Sequence, residues 1–233
     1  MPGRKIVVGI NFNAMHLHDR RFDPGWIEKR INIFREFTLK SLINQSQQDF
    51  LALLQYEEKT EESIWQALSK FPPLPDNIEF VRAGKYEDRI LKYVGDSPEF
   101  YIARIDSDDM YHQSFMKLLH EYQPGSEHVA VLIPQDGYIY DSINHRLAHW
   151  SHYSPPFYTL IYQTSDFLRR IRYKLIGGHS KMIRFNHEIL PPGCFMVVVH
   201  RENSVTSFNR SQRGKIITEE RKIEQILNDF RGK

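Results

Sequence analysis

The sequence of 233 residues has a single cysteine, no long apolar run and almost no excess charge. Cys194 has no partner for an internal disulfide, and no Cys-x-x-Cys or zinc-finger spacing occurs. No stretch approaches the roughly 18 consecutive apolar residues of a membrane span, and MPGRKIVVGINF has too short an apolar core for a signal peptide. These absences favour a cytoplasmic protein, or one that touches the inner face of a membrane without crossing it.

The charge balance also excludes a class of partner. Lysine and arginine number 31 against 29 acidic residues, for a net charge of +2. That balance is too even for nucleic acid to be the main partner. Hydrophobic residues make up 41% of the chain, which is enough for a sizeable core and indicates a folded protein.

Apolar runs alternate with amphipathic stretches through the first half of the chain. The predicted strands are KIVVGINF (5–12), DFLALLQY (49–56), NIEFVRA (77–83) and FYIARID (100–106). The predicted helices cover 26–43, 57–71, 86–94 and 113–122. Strands that alternate with helices predict a parallel sheet with helices on both faces.

The pattern changes after about Tyr122. HVAVLIPQDGYIYDSINHRLAHW (128–150) indicates strand, turn and strand, with Asp136 and Gly137 as the candidate turn. CFMVVVH (194–200) is a last strong strand, and the tail from Glu219 is an amphipathic helix. We therefore predict one α/β domain over 1–233, with a mostly parallel central sheet flanked by helices in 1–122 and a mixed half in 123–233.

Three acids, Asp106, Asp108 and Asp109, directly follow the predicted strand FYIARID. Like charges this close repel, so something positive must lie among them. In open α/β sheets, ligands bind at the carboxyl ends of strands, and carboxylates are the ligands that Mg²⁺ and Mn²⁺ prefer. A D-x-D turn can aim two carboxylates at one metal ion, while a substrate diphosphate completes its shell. Alternatively, Asp109 caps the following helix.

This segment resembles the D-x-D motif of GT-A glycosyltransferases, and FREFTLKSLINQSQQDFLALLQYEEKT resembles their opening helix and second strand. More narrowly, the chain resembles a rhamnosyltransferase-like group of family-two-like enzymes. The pattern of that group is found here at Phe34 to Phe50, at Arg104 to Asp109, and at His200, Asn203 and either Ser204 or Ser207.

The resemblance implies a GT-A fold and a metal-dependent, inverting hexosyltransferase of polysaccharide or glycan biosynthesis. Such an enzyme moves a sugar from a nucleotide-diphosphate sugar to a hydroxyl of a glycan or lipid-linked acceptor. Mn²⁺ or Mg²⁺ would stabilise the charge that builds on the leaving diphosphate. By resemblance, Asp108 contacts the metal, Asp106 holds the ribose or the metal through water, and Asp109 binds the metal or donor sugar. His200 would contact the metal or diphosphate, or is a polar surface residue.

Other residues are candidates for the donor site by their place in this fold. The loop after the first strand would line the base pocket, and basic residues after the third and last strands would approach the diphosphate. These candidates are Asn11, Phe12, Asn13, Lys85, Arg89 and Arg201. The alternatives are a core position for Phe12 and solvated surface positions for the basic residues.

An inverting transferase needs a general base for the acceptor proton. Glu188, Asp136 and Asp166 are the candidates, although Asp136 also suits a turn and Asp166 a helix start. His179 is a candidate for the border of the acceptor pocket. An aromatic platform for a sugar, or a mixed core, is indicated by Trp150, Tyr153 and Tyr158.

Three other functions compete with the transferase. A nucleotidyltransferase needs a glycine-rich loop with a lysine near the first strand, which GINFNAM lacks. A D-x-D phosphatase carries its nucleophilic aspartate after the first strand, not the fourth. A non-catalytic module that binds a nucleotide sugar or glycan is the remaining alternative.

The basic segment FLRRIRYK (167–174) is either a solvated face or a contact for anionic lipid headgroups.

Overall fold

The computed structural model describes residues 4–14, 19–126, 128–173, 178–203, 206–209 and 213–232. In these residues the chain forms an α/β structure, as predicted. The helices are α1 (Pro24–Glu36), α2 (Thr38–Ile43), α3 (Glu61–Leu68), α4 (Tyr86–Val94), α5 (Phe115–Glu121), α6 (Thr164–Leu168) and α7 (Glu220–Arg231). Short 3₁₀ helices cover Asp19–Phe22, Glu58–Thr60, Ala83–Lys85 and His179–Arg184.

The strands belong to two sheets. They are β1 (Lys5–Asn11), β2 (Leu51–Tyr56), β3 (Ile78–Arg82), β4 (Glu99–Asp106), β5 (Met110–Tyr111), β6 (Val131–Ile133), β7 (Asp136–Asp141), β8 (Arg146–Ser151), β9 (Tyr158–Gln163), β10 (His187–Ile189), β11 (Phe195–Val199) and β12 (Arg213–Ile217). The first sheet has the order β10-β6-β9-β4-β1-β2-β3, and the second has the order β12-β8-β7-β11-β5.

The first sheet contains the predicted parallel half. β1 runs parallel to both β4 and β2, and β2 runs parallel to β3, while β9 pairs with β4 in the antiparallel direction. The carboxyl ends of β1 to β4 therefore lie along one side of this sheet, which we call the carboxyl edge. Asn11 and Asp106 are register partners there.

The turn predicted at Asp136 and Gly137 is wrong, because both residues lie in β7. A Cβ on Gly137 would come within 2.4 Å of the Phe195 carbonyl oxygen, so glycine serves the close approach of β11 and not a turn. The chain turns instead between β7 and β8. There the Asp141 carboxylate accepts the N–H groups of Ile143 and Asn144 at 3.1 and 3.2 Å.

The helix predicted over 26–43 is two helices that meet at Phe37. Phe34 packs in the core under the first sheet, whereas Phe37 packs in a second core with residues of α7. Thr38, which begins α2, donates its hydroxyl to the Asp109 carbonyl oxygen at 2.8 Å. The break thus lets one apolar stretch serve two cores and brings α2 against the segment that follows β4.

The main core connects the two sheets. It contains Ile10 and Ile105 from the carboxyl ends of β1 and β4, together with Ile139 and Phe195 from the second sheet, all fully buried. The segment after β4 lies between these two layers, because β5 pairs with β11 while β4 pairs with β1. Residues 106–111 are therefore held from both sides.

Candidate functional site

The three acids lie at the carboxyl edge, where β4 ends and the chain turns towards β5. Asp106 is the last residue of β4, and Asp109 N–H donates to the Asp106 carbonyl at 3.3 Å. This turn projects successive side chains in different directions. As a result, the three carboxylates, although close in sequence, meet different neighbours.

Two arginines supply the positive charge that the crowded acids require. Arg104, two residues earlier on β4, holds Asp106 Oδ1 through Nη2 at 2.7 Å. Arg30, from α1, holds Asp108 Oδ2 through Nη1 at 3.2 Å and donates to the Ser107 hydroxyl at 2.6 Å. The second pair is the more shielded, since the side chains of Arg30 and Asp108 are only 14% and 15% exposed. Each acid of the D-x-D therefore has its own guanidinium.

His200 is the second partner of Asp108. Its Nε2 lies 3.0 Å from Asp108 Oδ2, and its Nδ1 accepts the Glu202 N–H at 3.2 Å. Because Nδ1 accepts, the proton of the neutral ring is on Nε2, which donates to Asp108. Phe37 stacks on the ring at a centroid distance of 6.4 Å and an interplanar angle of 13°. Asn203 accepts the His200 backbone N–H, so the His and Asn of the pattern at the end of β11 form one unit.

Asp109 has a different environment. Its side chain is turned into the protein, where Oδ1 accepts the Val198 N–H of β11 at 2.9 Å. The residue is 6% exposed, whereas the side chain of Asp106 is 36% exposed. Asp109 therefore connects the segment after β4 to the second sheet.

These environments separate the pKa values of the three carboxyls. Burial, with the charges of Asp108 and Asp106, raises the pKa of Asp109 well above its usual value. Burial also raises the pKa of Asp106, although the charge of Arg104 opposes the change. For Asp108 burial acts in the same direction, but the hydrogen bond from His200 and the charge of Arg30 outweigh it and lower the pKa to about 2. Asp108 is the most acidic of the three carboxyls.

Two carboxylates at the carboxyl edge, those of Asp106 and Asp108, have the chemistry needed to bind a divalent cation. Mg²⁺ and Mn²⁺ commonly take one or two protein carboxylates and complete their shell with water and phosphate oxygens. Asp106 and Asp108 offer such hard oxygen ligands, while Asp109 is engaged with the Val198 amide. A ready-made group of three ligands is found elsewhere in the described part of the chain: His145, Glu220 and Glu224 have ligand atoms within 4.8 Å of one another.

The chain was compared with family models, with curated proteins and with solved structures. No family model matches the chain, and no curated protein matches it. Among solved structures, TarS 1–349 of S. aureus in complex with UDP-GlcNAc has a TM-score of 0.50 at 12% identity, over 97% of this chain and 71% of that chain. The chain has a GT-A fold. The predicted fold class is therefore confirmed.

Two further solved structures are more distant from this GT-A chain. Mannosyltransferase PcManGT from Pyrobaculum calidifontis in complex with GDP-Man and Mn²⁺ has a TM-score of 0.41 at 9% identity, over 84% of this chain and 56% of that one. 4-Diphosphocytidyl-2C-methyl-D-erythritol synthase from Anaerococcus prevotii also has a TM-score of 0.41, at 12% identity and over 96% and 95% of the two chains. Scores below 0.5 do not establish a shared fold by themselves.

The loop after β1 in this GT-A fold holds two of the candidate donor residues inside the protein. Phe12 is 3% exposed and packs edge-on against Phe80 at 5.1 Å, which is a core position. Asn13 is fully buried; its side chain donates to Thr60 Oγ1 at 3.0 Å and accepts the Glu57 N–H at 3.0 Å. Asn11, beside Asp106, is the member of this group nearest to the acids.

The basic candidates are more distant from the acids. Lys85 follows β3 and pairs with Asp88 at 3.4 Å on the surface. Arg89 lies one turn into α4 and pairs with Glu79. β3 is three strands from β4, which corresponds to about 14 Å across the sheet. Arg201 follows His200 and is exposed. Ser204 and Lys174 lie outside the described residues.

The structure does not bring the three candidate bases together with the acids. Glu188 lies in β10, three strands from β4, and accepts from the Tyr122 hydroxyl and from the Gly125 N–H at 2.8 Å. Asp166 is in the first turn of α6, after the end of β9 that pairs with the start of β4.

Asp136 is exposed at the start of β7, opposite Ser151. By strand alternation its side chain shares a face with Tyr140, which packs in the core beside α7. Trp150 is on the other face, in the core between the two sheets. Asp136 thus faces away from Trp150.

An aromatic stack begins at Trp150 in β8 and continues into the segment after that strand. Trp150, His152 and Tyr153 stack in order, with centroid distances of 5.7 and 4.8 Å and interplanar angles of 10° and 21°. His179 lies 6.1 Å from His152, measured between ring centroids. Tyr153 is 55% exposed and Trp150 is 9% exposed, so the stack extends from the core to the surface. Tyr158, the third predicted platform residue, lies under Arg104, whose guanidinium carbon is 5.8 Å from the Tyr158 ring centroid.

Sequence reasoning missed Arg30 and Phe37 as members of this site. Nothing in the local sequence around Arg30 distinguishes it from the other basic residues of α1. The signal that could have found it is the requirement for cations among three closely spaced acids. Arg104 was present in the Arg-x-Asp pattern, but its pairing with Asp106 was not predicted.

Two remaining features lie away from the acids. Cys194 is buried and donates its thiol to the Pro191 carbonyl at 2.9 Å, and burial raises the pKa of this thiol to about 12. It also lines a cavity of about 480 Å³, together with His112, Tyr138 and Phe230.

Among the described helices, none combines the length and the apolar character that a membrane crossing requires.

Proposed function

We propose that this GT-A protein is a metal-dependent glycosyltransferase that moves a sugar from a nucleotide-diphosphate sugar to an acceptor hydroxyl. The observation that carries the proposal is the acid pair Asp106 and Asp108 at the carboxyl edge of β4, beside the end of β1. In open α/β sheets this edge is where nucleotide ligands bind. The pair is oriented by Arg104, Arg30 and His200, as a site that binds a ligand through fixed carboxylates requires.

Asp106 and Asp108 are the residues that would hold the divalent cation. The bound ion would neutralise part of the negative charge that develops on the leaving nucleoside diphosphate. The low pKa of Asp108, about 2, keeps its carboxylate charged at every physiological pH. His200 fixes the orientation of this carboxylate, and Asp109 fixes the backbone between Asp106 and β11.

Asn11 is proposed to line the donor pocket, since it lies at the carboxyl edge next to the acid pair. Asn13 and Phe12 would support this loop from beneath, as their burial indicates. Arg201, exposed next to His200, is proposed to contact the diphosphate. Lys85 and Arg89 would contribute only a general positive potential at this distance.

The finer identity of donor and acceptor is also a proposal. The resemblance favours a rhamnosyl or other hexosyl group, inversion at the anomeric carbon, and a role in polysaccharide or glycan biosynthesis. The TarS structure named above contains UDP-GlcNAc, which supports beginning with uridine donors. A glycan or lipid-linked acceptor fits the exposed aromatic ring of Tyr153, which stacks on His152.

Contact with a membrane surface is supported by one exposed segment. Leu168 and Ile171 are 60% and 51% exposed, and Arg169 and Arg170 lie between them. Aliphatic side chains beside arginines suit an anionic lipid surface. Sedimentation with vesicles of phosphatidylglycerol, but not of phosphatidylcholine, is the expected result, and equal sedimentation with both would contradict it.

The test of the proposed function is thermal stabilisation by a panel of nucleoside diphosphates and nucleotide sugars, with and without Mn²⁺. A ligand of the native state at about 100 times its Kd stabilises it by about 2.7 kcal/mol. We expect one nucleotide to raise Tm in a metal-dependent way, and Asp108→Asn to abolish the increase. Asp88→Asn, which removes an exposed acid on α4, is the matched control and should respond as the wild type does.

Turnover separates the enzyme from the non-catalytic alternative. With the stabilising nucleotide identified, release of nucleoside diphosphate from its sugar should require an acceptor glycoside and Asp108. Binding without turnover across a broad acceptor panel would favour a nucleotide-sugar-binding module. Absence of stabilisation by any nucleotide would overturn the proposal.

A further inference from the structure

His179 is held with a proton-accepting nitrogen by the segment that follows β8. Its Nδ1 lies 3.1 Å from the Ser154 carbonyl oxygen, which can only accept. The neutral ring therefore carries its proton on Nδ1, and Nε2 carries the lone pair. The Ser154 hydroxyl donates back to the His179 carbonyl at 2.8 Å, and Ser154 is fully buried. These two reciprocal bonds fix both the tautomer and the position of the ring.

The loop that holds His179 is connected to Asp106 through one side chain. Arg104 binds Asp106 through Nη2 and donates through Nη1 to the carbonyl of Pro156, two residues after Ser154. Two residues span at most about 7 Å, so this chain of contacts limits the distance from His179 to the Asp106 carboxylate to roughly 18 Å. A sugar ring on the diphosphate and an acceptor hydroxyl together fit within that limit.

The other two histidines of this region, His152 and His200, carry the ring proton on Nε2 and therefore donate from that nitrogen when they are neutral. His152 Nδ1 accepts the Ser154 N–H at 3.0 Å, so its neutral ring carries the proton on Nε2. His200 has the same tautomer and donates to Asp108. Among these three rings, only His179 has Nε2 unprotonated when neutral. Of the acids considered as bases from sequence, Asp166 lies beyond the start of β4, and Glu188 lies on β10, three strands from β4.

Resting on the proposed function, we infer that His179 is the general base of the transfer and that the stack of Trp150, His152 and Tyr153 holds the acceptor sugar. As the acceptor oxygen forms its bond to the anomeric carbon, its proton passes to His179 Nε2. The bond from the anomeric carbon to the diphosphate oxygen breaks, and its electron pair leaves on the nucleoside diphosphate. The Ser154 carbonyl stabilises the imidazolium through Nδ1–H.

The chemical class of the acceptor can be inferred from the aromatic stack. Sugars present apolar C–H faces that pack on aromatic rings, and the exposed Tyr153 offers such a surface next to His179. His152 Nε2–H adds a hydrogen-bond donor for a sugar hydroxyl. The acceptor inferred is therefore a glycoside, bound through a ring face with one hydroxyl directed at His179.

The test compares His179→Asn with the matched control His187→Asn. Asn keeps a donor for the Ser154 carbonyl but lacks the basic nitrogen. His187 makes the same kind of bond, from Nδ1 to the Phe185 carbonyl at 2.9 Å, on β10 at the outer edge of the first sheet. Transfer from the stabilising nucleotide sugar to a panel of nitrophenyl glycosides is measured, along with thermal stabilisation by the nucleoside diphosphate.

We expect His179→Asn to lower kcat about 10²- to 10⁴-fold, as loss of a general base does. Its stabilisation by the nucleoside diphosphate and its KM for the donor should not change, and His187→Asn should behave as the wild type in every respect. A folded His179→Asn with a kcat within threefold of the wild type would overturn the base assignment while leaving the proposed function intact. A wild-type protein that binds no nucleotide would overturn the proposed function, and the base assignment with it.

A spectroscopic measurement keeps the inference testable if His179→Asn does not fold. Nitrogen NMR of the ring nitrogens of the wild-type protein, with the His179 ring assigned through its own backbone resonances, reports the tautomer directly. We expect His179 to be protonated at Nδ1 when neutral. A ring protonated at Nε2 would overturn the inference, because its Nε2 could not accept the acceptor proton.

Discussion

Asp108 and Asp109 are neighbours in the chain, yet their carboxyls differ in charge preference because of what surrounds each one. Asp108 has Arg30 and His200, which favour the charged form, whereas Asp109 has the Val198 amide and two other acids. A single motif can therefore combine one residue that presents a fixed negative charge with another that supports the backbone.

The first residue-scale prediction concerns Asp109. Its raised pKa means that the folded protein binds a proton that the unfolded chain, with a pKa of about 3.9, has released. Stability therefore falls as pH rises above about 4, and Asp109→Asn, which is neutral and keeps an acceptor for Val198, avoids this loss. We expect the urea-unfolding free energy of Asp109→Asn to exceed that of the wild type at pH 8, with a difference that shrinks towards pH 4.

The companion variant Asp109→Ala distinguishes charge from hydrogen bonding. It leaves the buried Val198 N–H without its acceptor and should be about 1–3 kcal/mol less stable than Asp109→Asn at any pH. An Asp109→Asn protein that is less stable than the wild type at pH 8 would show that the charged carboxylate is needed there.

The second residue-scale prediction concerns Arg30, which helps to lower the pKa of Asp108 to about 2. A lowered carboxyl pKa contributes stability that is present above about pH 4 and is lost as pH falls through 2. At pH 5, Arg30→Met should therefore have a urea-unfolding free energy about 1 kcal/mol below that of the wild type. This corresponds to a contribution by Arg30 of somewhat less than one unit to the pKa of Asp108. The difference should close between pH 4 and pH 2.

Arg35 provides the control on the same helix. It donates to the Pro72 carbonyl at 3.2 Å and packs on Phe71, and it pairs with none of the three acids. Arg35→Met should change the urea-unfolding free energy by an amount that does not vary between pH 5 and pH 2. A pH-independent loss in Arg30→Met would contradict the account of Asp108.

At the scale of elements, close approaches between strands decide where the chain turns. Gly137 permits β7 to lie against the Phe195 backbone, and the turn forms instead where Asp141 can accept two amides. In the same way, α1 ends at Phe37 because that side chain belongs to the core with α7. Both features depend on partners that are distant in sequence.

The element-scale prediction is that Gly137→Ala destabilises the second sheet. Its Cβ would meet the Phe195 carbonyl oxygen at 2.4 Å and the ring at 2.9 Å, so β7 and β11 must separate. Overpacking of this kind costs about 1–3 kcal/mol. Gly84→Ala, where a Cβ meets nothing within 4 Å, is the control and should change the unfolding free energy by less than about 0.5 kcal/mol. Equal unfolding midpoints in urea for the two variants would contradict the packing account.

At the scale of the whole molecule, the sequence predicts the buried strands well. The runs at 5–12, 49–56, 77–83 and 100–106 match β1 to β4 within two residues, because a strand buried on both faces is apolar throughout. The position of the acids after β4 follows from the same pattern. The strand order and register of the second sheet could not be predicted from the sequence, since they depend on pairing between strands that are distant in the chain.

The partners of the acids were beyond local sequence for a similar reason. Arg30 comes from α1 and His200 from the end of β11, 78 and 92 positions from Asp108. Glu188 and Asp166 were reasonable bases by sequence distance, but the fold places Asp166 beyond the start of β4 and Glu188 on β10, three strands from β4. His179 reaches the site through a loop whose course is set by a buried serine, Ser154.

The measurement that tests the central claim most directly is a backbone NMR titration with Mg²⁺ and the stabilising nucleoside diphosphate. The account predicts chemical-shift changes at the amides of Asn11, Ser107, Asp108 and His200, which surround the carboxyl edge. Changes confined to His112 and Cys194, which line the cavity of about 480 Å³ beside α5 and α7, would contradict it and place the nucleotide elsewhere.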